Sequence, residues 1–320
     1  MDQPLKPRIV ISTCIEHEAC RFNGQIIADE FIRNLRDLVE FIPVCPEVEL
    51  GLGTPREPIR IVSKAGDFRL IQPATNSDLT KPMHEFSQKF LTTLTQIDGF
   101  ILKSRSPSCG PKDVRVYSEK GQPMANSIGF FAKAVLDKFP HLAVEEEGRL
   151  RNFRIREHFL TRIFAVARFR QVKNSGSMKE LVSFQAKNKF IFMAYNQKAM
   201  RRLGQIAANS EKKTFSTVTE EYEAELARVF SRLPHVGSHI NVLLHGFGYF
   251  SKNLNAEEKA WFLDALEKYR QKKLPLSALL SVLRAWIARF NEHYLAQQAY
   301  FEPYPESLRE IRDSGKGRDL

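Results

Sequence analysis

The stretch "GFILKSRSPSCGPK", residues 99–112, changes character halfway along. Its first four residues are an apolar run of the kind that forms a short buried strand. The rest is a loop of small, hydroxylated and cationic residues in which Cys109 stands between Ser108 and Gly110. Turn residues on both sides of the thiol indicate a loop, whereas an ordinary buried cysteine sits among core residues. The pattern poses two questions: what sheet this strand belongs to, and what the thiol does at its end.

Short apolar strands alternate with amphipathic helices through the first 148 residues. The predicted strands lie at 8–12, 41–44, 59–62, 68–71 and 100–102, and the predicted helices at 24–41, 84–97 and 127–139. This alternation predicts an α/β domain with an open, largely parallel sheet.

From residue 149 onward the strand signals fade. Helical periodicity covers 153–172, 181–203, 219–233, 240–250, 256–272 and 276–294. We therefore expect an α/β domain at 1–148 and a mostly α-helical domain at 149–320. His235, His239 and His245 in the second region carry no H-E-x-x-H pattern, and helix packing is favoured for them over a metal site.

Charge is divided unequally between the two predicted domains. The chain has a net charge of +11, but residues 1–148 hold 18 Lys and Arg against 20 Asp and Glu, while residues 149–320 hold 30 against 17. A basic domain beside a near-neutral one favours a polyanionic partner such as RNA over a merely solvated face. The expected RNA-binding residues form an arginine-rich run: Arg151, Arg154, Arg156, Arg162, Arg168 and Arg170.

Three cysteines each follow a predicted strand: Cys14, Cys45 and Cys109. In an open α/β sheet, ligands bind beyond the carboxyl ends of the strands, so these thiols are expected to converge. Thiolates could hold zinc or an iron–sulfur cluster. The absence of a C-x-x-C pair from the sequence and the wide spacing favour a cluster. Cys20 is either a fourth ligand or, as we favour, a bystander.

The composition is that of an ordinary globular protein, with 43% hydrophobic residues. No apolar run approaches the roughly 20 residues of a membrane span, so no membrane partner is expected. The N-terminal residues do not resemble a signal peptide, so a cytoplasmic location is expected. Four cysteines are too few for a disulfide framework.

Five motifs occur in order in the N-terminal region: ISTC (11–14), CRFNG (20–24), CPEVELGLGTPREP (45–58), GDFRL (66–70) and FILKSRSPSCG (100–110). Together they resemble the TudS-like thiouracil desulfidase family. The helical remainder resembles the YbgA-type domain, and the combination is similar to RudS-like tRNA 4-thiouridine desulfidases.

The resemblance implies a 4Fe-4S cluster on Cys14, Cys45 and Cys109, with one iron open to substrate. It also implies a catalytic glutamate in the Cys-Pro-Glu motif, Glu47, and a catalytic serine, Ser106. One departure is visible, because short family members often read Cys-Leu-Leu-Gly where this chain reads Cys-Ile-Glu-His from Cys14. The pocket and the substrate range are therefore expected to differ.

The residues themselves support such chemistry. Exchange of a thiocarbonyl sulfur for oxygen needs a soft acceptor for sulfur, a base for water and donors for developing charge. Glu47 is close enough to Cys45 in the chain to be the base. The expected substrate-binding residues are Thr13, Arg21, Lys103, Ser104 and Ser108.

The sequence thus predicts a non-redox iron–sulfur desulfidase that converts 4-thiouridine in tRNA to uridine and releases hydrogen sulfide. Two alternatives remain open: a desulfidase of free thiouracil bases, and a non-catalytic RNA-binding iron–sulfur sensor. Electron transfer is disfavoured by the open iron and the adjacent glutamate. The sequence does not indicate the oligomeric state or the position of the thiolated nucleotide.

Overall fold

A computed structural model describes residues 5–309 of the chain. The strands of this part are β1 (Arg8–Ser12), β2 (Glu40–Val44), β3 (Arg60–Lys64), β4 (Asp67–Gln72), β5 (Ser77–Asp78), β6 (Gly99–Leu102), β7 (Val114–Ser118), β8 (Pro123–Ser127) and β9 (Ala143–Glu146). The α-helices of the same part are α1 (Glu30–Leu35), α2 (Pro46–Glu49), α3 (Thr80–Thr93), α4 (Phe130–Lys138), α5 (Phe153–Ser175), α6 (Met178–Tyr195), α7 (Gln197–Ala208), α8 (Phe215–Val229), α9 (Val236–Gly248), α10 (Ala256–Arg270), α11 (Leu276–Phe290) and α12 (His293–Ala296).

Four strands form a parallel sheet in the order β2-β1-β6-β9. The two central strands are apolar along their length, and Ile9, Val10, Phe100 and Ile101 are fully buried. Such continuous burial is characteristic of parallel strands that are covered on both faces. All four carboxyl ends therefore lie along one edge of the sheet. The prediction of an α/β domain with a largely parallel sheet is confirmed.

A second sheet, in the order β5-β4-β3-β7-β8, is mixed. Strands β3 and β7 are parallel, whereas the other three pairings are antiparallel. The strands predicted at 59–62 and 68–71 lie in this sheet, outside the parallel one. They form a hairpin whose turn, Ala65-Gly66, has positive φ at both residues. The inner face of this sheet contributes Ile61, Leu70 and Val116 to the core.

The helix predicted at 24–41 is much shorter than its periodicity indicates, because α1 spans only Glu30–Leu35. Residues ahead of it pair with the loop after β1: the Ile27 N–H donates to Cys14 O at 2.8 Å, and the Glu16 N–H donates to Ile27 O at 3.0 Å. The Asp29 side chain then caps the helix by accepting from the Ile32 N–H. Tertiary pairing thus overrides the local pattern.

The loop after β6 is fixed against the N-terminus of α4. The N–H groups of Gly129, Phe130 and Ala132 donate to the carbonyls of Gly110, Pro107 and Ser108 at 2.8, 3.0 and 3.1 Å. These are donors that the first turn of a helix leaves without intrahelical partners. The loop and the helix approach so closely that a Cβ at Gly129 would lie 2.5 Å from the Ser108 carbonyl oxygen.

The C-terminal half of the described chain is helical, as predicted. The helix expected at 181–203 is divided into α6 and α7 at Asn196, whose extended backbone ends one helix and whose side chain caps the next by accepting from the Ala199 N–H at 3.0 Å. His239 contacts Tyr300, with Nδ1 and the hydroxyl oxygen 2.8 Å apart.

The described residues divide into two compact units, 5–167 with 307–309 and 168–306. The division falls within α5, whereas the functional boundary at Gly148 stays a prediction. Within residues 5–309, no helix is both long and apolar enough to cross a membrane.

We predict that Gly129→Ala destabilises the N-terminal unit by about 1–3 kcal/mol, the usual cost of forcing an extra carbon into a packed contact. The added Cβ would displace the carbonyl of Ser108 and with it the loop that carries Cys109. Urea unfolding measures the effect. Gly148→Ala is the control, because a Cβ there meets no atom within 4 Å. Equal stability of the two variants would contradict the prediction.

Candidate active site

One large cavity of about 1290 Å³ lies at the carboxyl edge of the parallel sheet. Each of the four strands contributes to its wall: Cys14 follows β1, Cys45 follows β2, Lys103 follows β6, and Glu146 ends β9. The strand ends of the sheet therefore converge on one site, which is where open α/β sheets bind their ligands.

All four cysteines line this cavity, and all four are free thiols. The Cys20 thiol lies close enough to Cys14 and Cys45 for both to perturb its pKa. Cys109 is buried, and the Ser108 hydroxyl donates to its sulfur at 3.7 Å. The three cysteines predicted as ligands therefore share one cavity, and Cys20, which we regarded as a bystander, lies in direct contact with two of them.

The protein raises the pKa of three of these thiols. The interaction of the protonated Cys20 thiol with Cys14 is the main reason that the pKa of Cys20 lies at about 11, and burial raises the pKa of Cys109 to about 12. The hydrogen bond with Cys20, followed by burial, raises the pKa of Cys45. Neutral thiols of this kind become ligands by releasing their protons as metal binds.

The donor set suits an iron–sulfur group. Soft sulfur ligands select zinc, copper(I) or iron–sulfur clusters, and four thiols line this one cavity. Within the described residues 5–309, no three His, Cys, Asp or Glu side chains are grouped to hold a single metal ion. Four thiols that line one cavity and come from separate segments are a donor set that fits an iron–sulfur cluster.

Glu47 lies in the first turn of α2, directly after Cys45 and Pro46, and is held by a buried ion pair with Arg56. Its Oε2 is 2.7 Å from Arg56 Nη2 and 2.8 Å from Nε. The Glu47 side chain is only 12% exposed, and the Arg56 side chain only 4%. Arg56 Nη1 also donates to the carbonyl oxygens of Cys20 and Gly53, at 3.0 and 2.8 Å. One guanidinium thus connects three segments of the cavity wall.

A chain of hydroxyls reaches the other oxygen of the same carboxylate. The Ser108 hydroxyl donates to Glu47 Oε1 at 2.6 Å, whereas Ser106 Oγ is 3.5 Å from that atom. Ser106 Oγ accepts from the backbone N–H groups of Cys109 and Ser108 at 3.1 and 3.3 Å, and lies 2.9 Å from Ser108 Oγ. Because those two bonds occupy its lone pairs, Ser106 donates its proton to Ser108.

Two of the predicted substrate-binding residues, Lys103 and Ser104, are held by Glu147 through an ion pair and hydrogen bonds. Lys103 Nζ lies 2.7 Å from Glu147 Oε1, and Ser104 donates through its hydroxyl to Oε1 and through its N–H to Oε2 at 2.7 and 2.8 Å. Glu147 is 5% exposed. Its neighbour Glu146, 9% exposed, lines the cavity, and its Oε2 has no hydrogen-bond partner among the described residues.

The remaining predicted substrate-binding residues also lie in the cavity wall. Thr13 is nearly buried, and its N–H donates to the Val44 carbonyl at 3.0 Å. Arg21 lines the cavity with its guanidinium 5.8 Å from the centre of the Phe22 ring. Ser108 lines it too, but its side chain is fully buried against Glu47.

The departure from the family pattern after Cys14 has a structural role. Burial favours the neutral acid of Glu16, but hydrogen bonds from Arg33 and from the Asp29 N–H outweigh it and lower the pKa of the carboxyl. Glu16 thus anchors the beginning of α1 to the loop after β1. It does not belong to the cavity lining among the described residues.

The arginines predicted to bind RNA do not form one exposed row. Arg156 is 3% exposed, donates to the Leu150 carbonyl at 3.1 Å and lies against the Phe31 ring. Arg168 is half-buried and donates to the Pro303 carbonyl at 2.7 Å, and its Nη1 is buried. The guanidinium groups of these two residues are used inside the fold, and their role in RNA binding stays a prediction.

The other four arginines of that set are more accessible. Arg151 is 61% exposed, with Nε 3.6 Å from Asp29 Oδ2, and Arg154 is exposed. Arg162 donates to the His141 carbonyl at 3.3 Å, and both it and Arg170 are half-buried. Their role in RNA binding stays a prediction.

Sequence reasoning missed Arg56 and Glu147 as parts of the site, and it left Cys20 open as a fourth ligand while favouring a bystander. Arg56 stands in the motif CPEVELGLGTPREP, so its occurrence in the same motif as Glu47 was an available signal. Glu147 directly follows strand β9, whose sequence AVEE contains only two apolar residues. The weakness of that strand signal hid the carboxylate at its end.

A parallel α/β sheet whose strand ends gather four thiols, a paired glutamate and two hydroxyls defines a thiol-lined enzyme-like centre. Comparison with known sequences agrees with it. Residues 9–147 match the family described as 2-thiouracil desulfurase, and residues 189–305 match a protein family of unknown function, DUF1722. The protein YbbK of Bacillus subtilis (strain 168) is 38% identical over 109 residues, which cover 32% of this chain and 72% of YbbK. In its N-terminal region the chain belongs to the 2-thiouracil desulfurase family.

Two further similarities each cover a little under half of the chain. The protein YbgA of Escherichia coli (strain K12) is 29% identical over 160 residues, which are 49% of this chain and 93% of YbgA. A solved structure described as the 4Fe-4S-dependent thiouracil desulfidase TudS is 27% identical to this chain, with a TM-score of 0.36. The matched region is 45% of this chain and 93% of the chain in that structure.

We predict that Arg56→Met destabilises the protein by about 3–5 kcal/mol, because it leaves the Glu47 carboxylate buried without its partner. Arg56→Lys should recover part of this stability, since an ammonium restores the charge without the two-pronged geometry. Urea unfolding provides the measurement. Lys133→Met, which breaks the exposed Lys133–Asp137 pair, should change stability by less than about 0.5 kcal/mol. A similarly small effect of Arg56→Met would exclude a structural role for the buried pair.

Proposed function

We propose that the chain is an iron–sulfur desulfidase that replaces the sulfur of a thiolated uridine in tRNA by oxygen and releases hydrogen sulfide. The observation that carries the proposal is the convergence of four thiols with the Arg56–Glu47–Ser108–Ser106 network in a single cavity. Family membership over residues 9–147 supports sulfur removal as the reaction.

Cys14, Cys45 and Cys109 would hold a 4Fe-4S cluster, because each follows a separate strand of the sheet and lines the cavity. When bound, such a cluster supplies a soft Lewis acid that binds sulfur at an iron without a protein ligand. Cys20 contacts two of these residues and is the alternative fourth ligand.

The reaction consumes one water and is not a redox change: a C=O bond replaces the C=S bond, and the sulfur leaves as hydrogen sulfide. Glu47 Oε1 takes a proton from the attacking water, and its other oxygen stays fixed by Arg56. Glu47 then gives this proton to the leaving sulfur, and the second proton of the same water follows through Glu47 as the C=O bond forms, so that the sulfur departs as hydrogen sulfide. Ser108 holds Glu47 Oε1 in place for both transfers, and Ser106 fixes the hydroxyl of Ser108. Glu47 is thereby regenerated as the carboxylate.

A polynucleotide substrate is supported by the charge of the cavity wall. Eight Lys or Arg side chains and five Asp or Glu side chains line it, and Arg21, Arg105 and Lys112 are among the cations. Residues 149–320 add a surplus of 13 basic residues over acidic ones. Phosphate contacts of such residues give affinity that does not depend on base sequence.

We predict that anaerobically prepared protein binds about four irons, and that Cys14→Ala, Cys45→Ala and Cys109→Ala each abolish binding. Each substitution removes a thiolate from a different strand end. Cys20→Ala is the matched comparison and should retain the cluster. Iron and sulfide counts with an absorption spectrum measure this. Loss of iron in Cys20→Ala would make Cys20 a ligand and eliminate the open iron from the proposal.

The catalytic proposal predicts that Glu47→Gln keeps the cluster but lowers turnover by about 10²-fold or more, the usual contribution of a general base. Ser106→Ala should have a smaller effect. Glu49→Gln, an exposed carboxylate on the same helix, is the control. The assay follows sulfide release from thiolated tRNA and from 4-thiouridine nucleoside. Near wild-type turnover in Glu47→Gln would remove this residue from the mechanism.

The same assay separates the alternatives. A desulfidase of free thiouracil bases would turn over the base with a kcat/KM at least equal to that for thiolated tRNA, and would keep this activity without residues after Gly148. A sensor would bind RNA and the cluster but release no sulfide from any thiolated substrate. Either result would replace the tRNA proposal.

A further inference from the structure

A second, smaller cavity opens directly beside the active site. Its volume is about 470 Å³, and it shares Pro58, Ile59, Arg105, Pro107 and Asp113 with the larger cavity. We call it the flanking groove. Because five residues belong to both walls, a ligand longer than one nucleoside in the active site would extend into this groove.

The outer face of the mixed sheet forms the far wall of the flanking groove. Arg115 pairs directly with Asn126 of β8, and Tyr117 pairs with Val62 of β3, two residues after Arg60. Residues two apart on a strand share a face, and so do directly paired residues of neighbouring strands. The groove residues Arg60, Arg115, Tyr117 and Asn126 therefore point to the same side of the sheet. The alternating residues Ile61 and Val116 face the core.

The groove carries positive charge that the fold does not neutralise. Arg60, Arg105 and Arg115 line it together with one carboxylate, Asp113. Within residues 5–309 none of these three arginines forms a salt bridge, whereas Arg69 on the same sheet face lies 3.9 Å from Asp78. Three guanidinium groups around a 470 Å³ recess form a site suited to an anion.

The groove also offers a surface for a base. Arg60 lies over the ring of Tyr117, with its guanidinium carbon 5.0 Å from the ring centre. Unstacked bases of RNA are bound by stacking on aromatic rings or on guanidinium planes, and amides such as that of Asn126 bind base edges. The combination of arginine, tyrosine and asparagine therefore matches a whole nucleotide better than an isolated phosphate.

Arg105 lies where the two cavities meet. It is exposed, lines both cavities, and belongs to the loop between Lys103 and Ser106. Its φ of 56° places it in the left-handed region, which is costly for a residue other than glycine. Such strain is typical of residues whose side-chain direction matters for function.

We infer that the flanking groove binds the nucleotide next to the thiolated one, with Arg60, Arg105 and Arg115 around its phosphate and its base against Tyr117. This inference rests on the proposed function and defines the substrate further, as a single-stranded or unstacked RNA segment. Arg105 contacts the phosphodiester that joins the two nucleotides. A free base or nucleoside gains nothing from the groove.

The test compares two substrates with the full-length protein that contains the cluster: 4-thiouridine nucleoside and a short single-stranded oligoribonucleotide with one 4-thiouridine. In R60Q/R115Q, whose positions lie outside the active-site lining, kcat/KM for the oligonucleotide should fall about 100-fold. The kcat/KM for the nucleoside should stay within about twofold. The log–log slope of oligonucleotide affinity against salt should become shallower by about 0.7 for each phosphate that the variant no longer binds.

K64Q/R69Q is the matched control, because it removes the same charge from the same sheet outside the groove. An equal effect in this control, or an unchanged substrate ratio in R60Q/R115Q, would overturn the inference. Failure of the proposed function is recognised separately, because the wild type would then release sulfide from neither substrate. In that case the affinity for an unthiolated oligonucleotide, measured by fluorescence anisotropy in all three proteins, still tests the groove. Weaker binding in R60Q/R115Q alone would support the inference, and equal binding in the three proteins would overturn it.

Discussion

The buried ion pair between Arg56 and Glu47 is the interaction on which the active-site cavity depends. A carboxylate that is 12% exposed in a wall of thiols is stable as an anion only with a charged partner, and Arg56 supplies two donors to one of its oxygens. The same guanidinium binds the carbonyls of Cys20 and Gly53. The catalytic candidate and the loops beside it are therefore positioned by one side chain.

A second constraint comes from backbone polarity. The loop that carries Ser106, Ser108 and Cys109 has no regular structure, so its carbonyls need donors when they are buried. The N–H groups at the N-terminus of α4 supply them. This fixes the direction in which the hydroxyl groups donate. Ser106 Oγ accepts from two backbone N–H groups, so its own proton is donated to Ser108. The Ser108 hydroxyl in turn donates to Glu47.

The sequence was informative where function depends on strand ends. Cys14, Cys45 and Cys109 could be predicted to converge because each follows an apolar run, and the topology of parallel sheets brings such ends together. This convergence needs only local patterns and one general rule of topology. The role of Glu47 was implied by the resemblance of its Cys-Pro-Glu motif to the family, and its distance of two residues from Cys45 agrees with that role.

Features that depend on contacts between distant segments could not be predicted. The helical periodicity predicted a helix three times as long as the observed α1. It carries no information on the pairing of Ile27 with the loop after β1. The arginine-rich run was predicted to be one basic face, yet Arg156 satisfies backbone carbonyls in the interior. Arg60 and Arg115 were not noticed, because their common face exists only once β3 and β7 are paired.

The spacing of the thiols along the chain has a consequence for how the protein matures. Cys14, Cys45 and Cys109 are brought together by three different strand ends, so the unfolded polypeptide contains no preformed chelating segment. An inorganic group that needs all three can therefore assemble only after the sheet has formed. For the proposed cluster, this places the delivery of iron and sulfide after the strands of the sheet have paired.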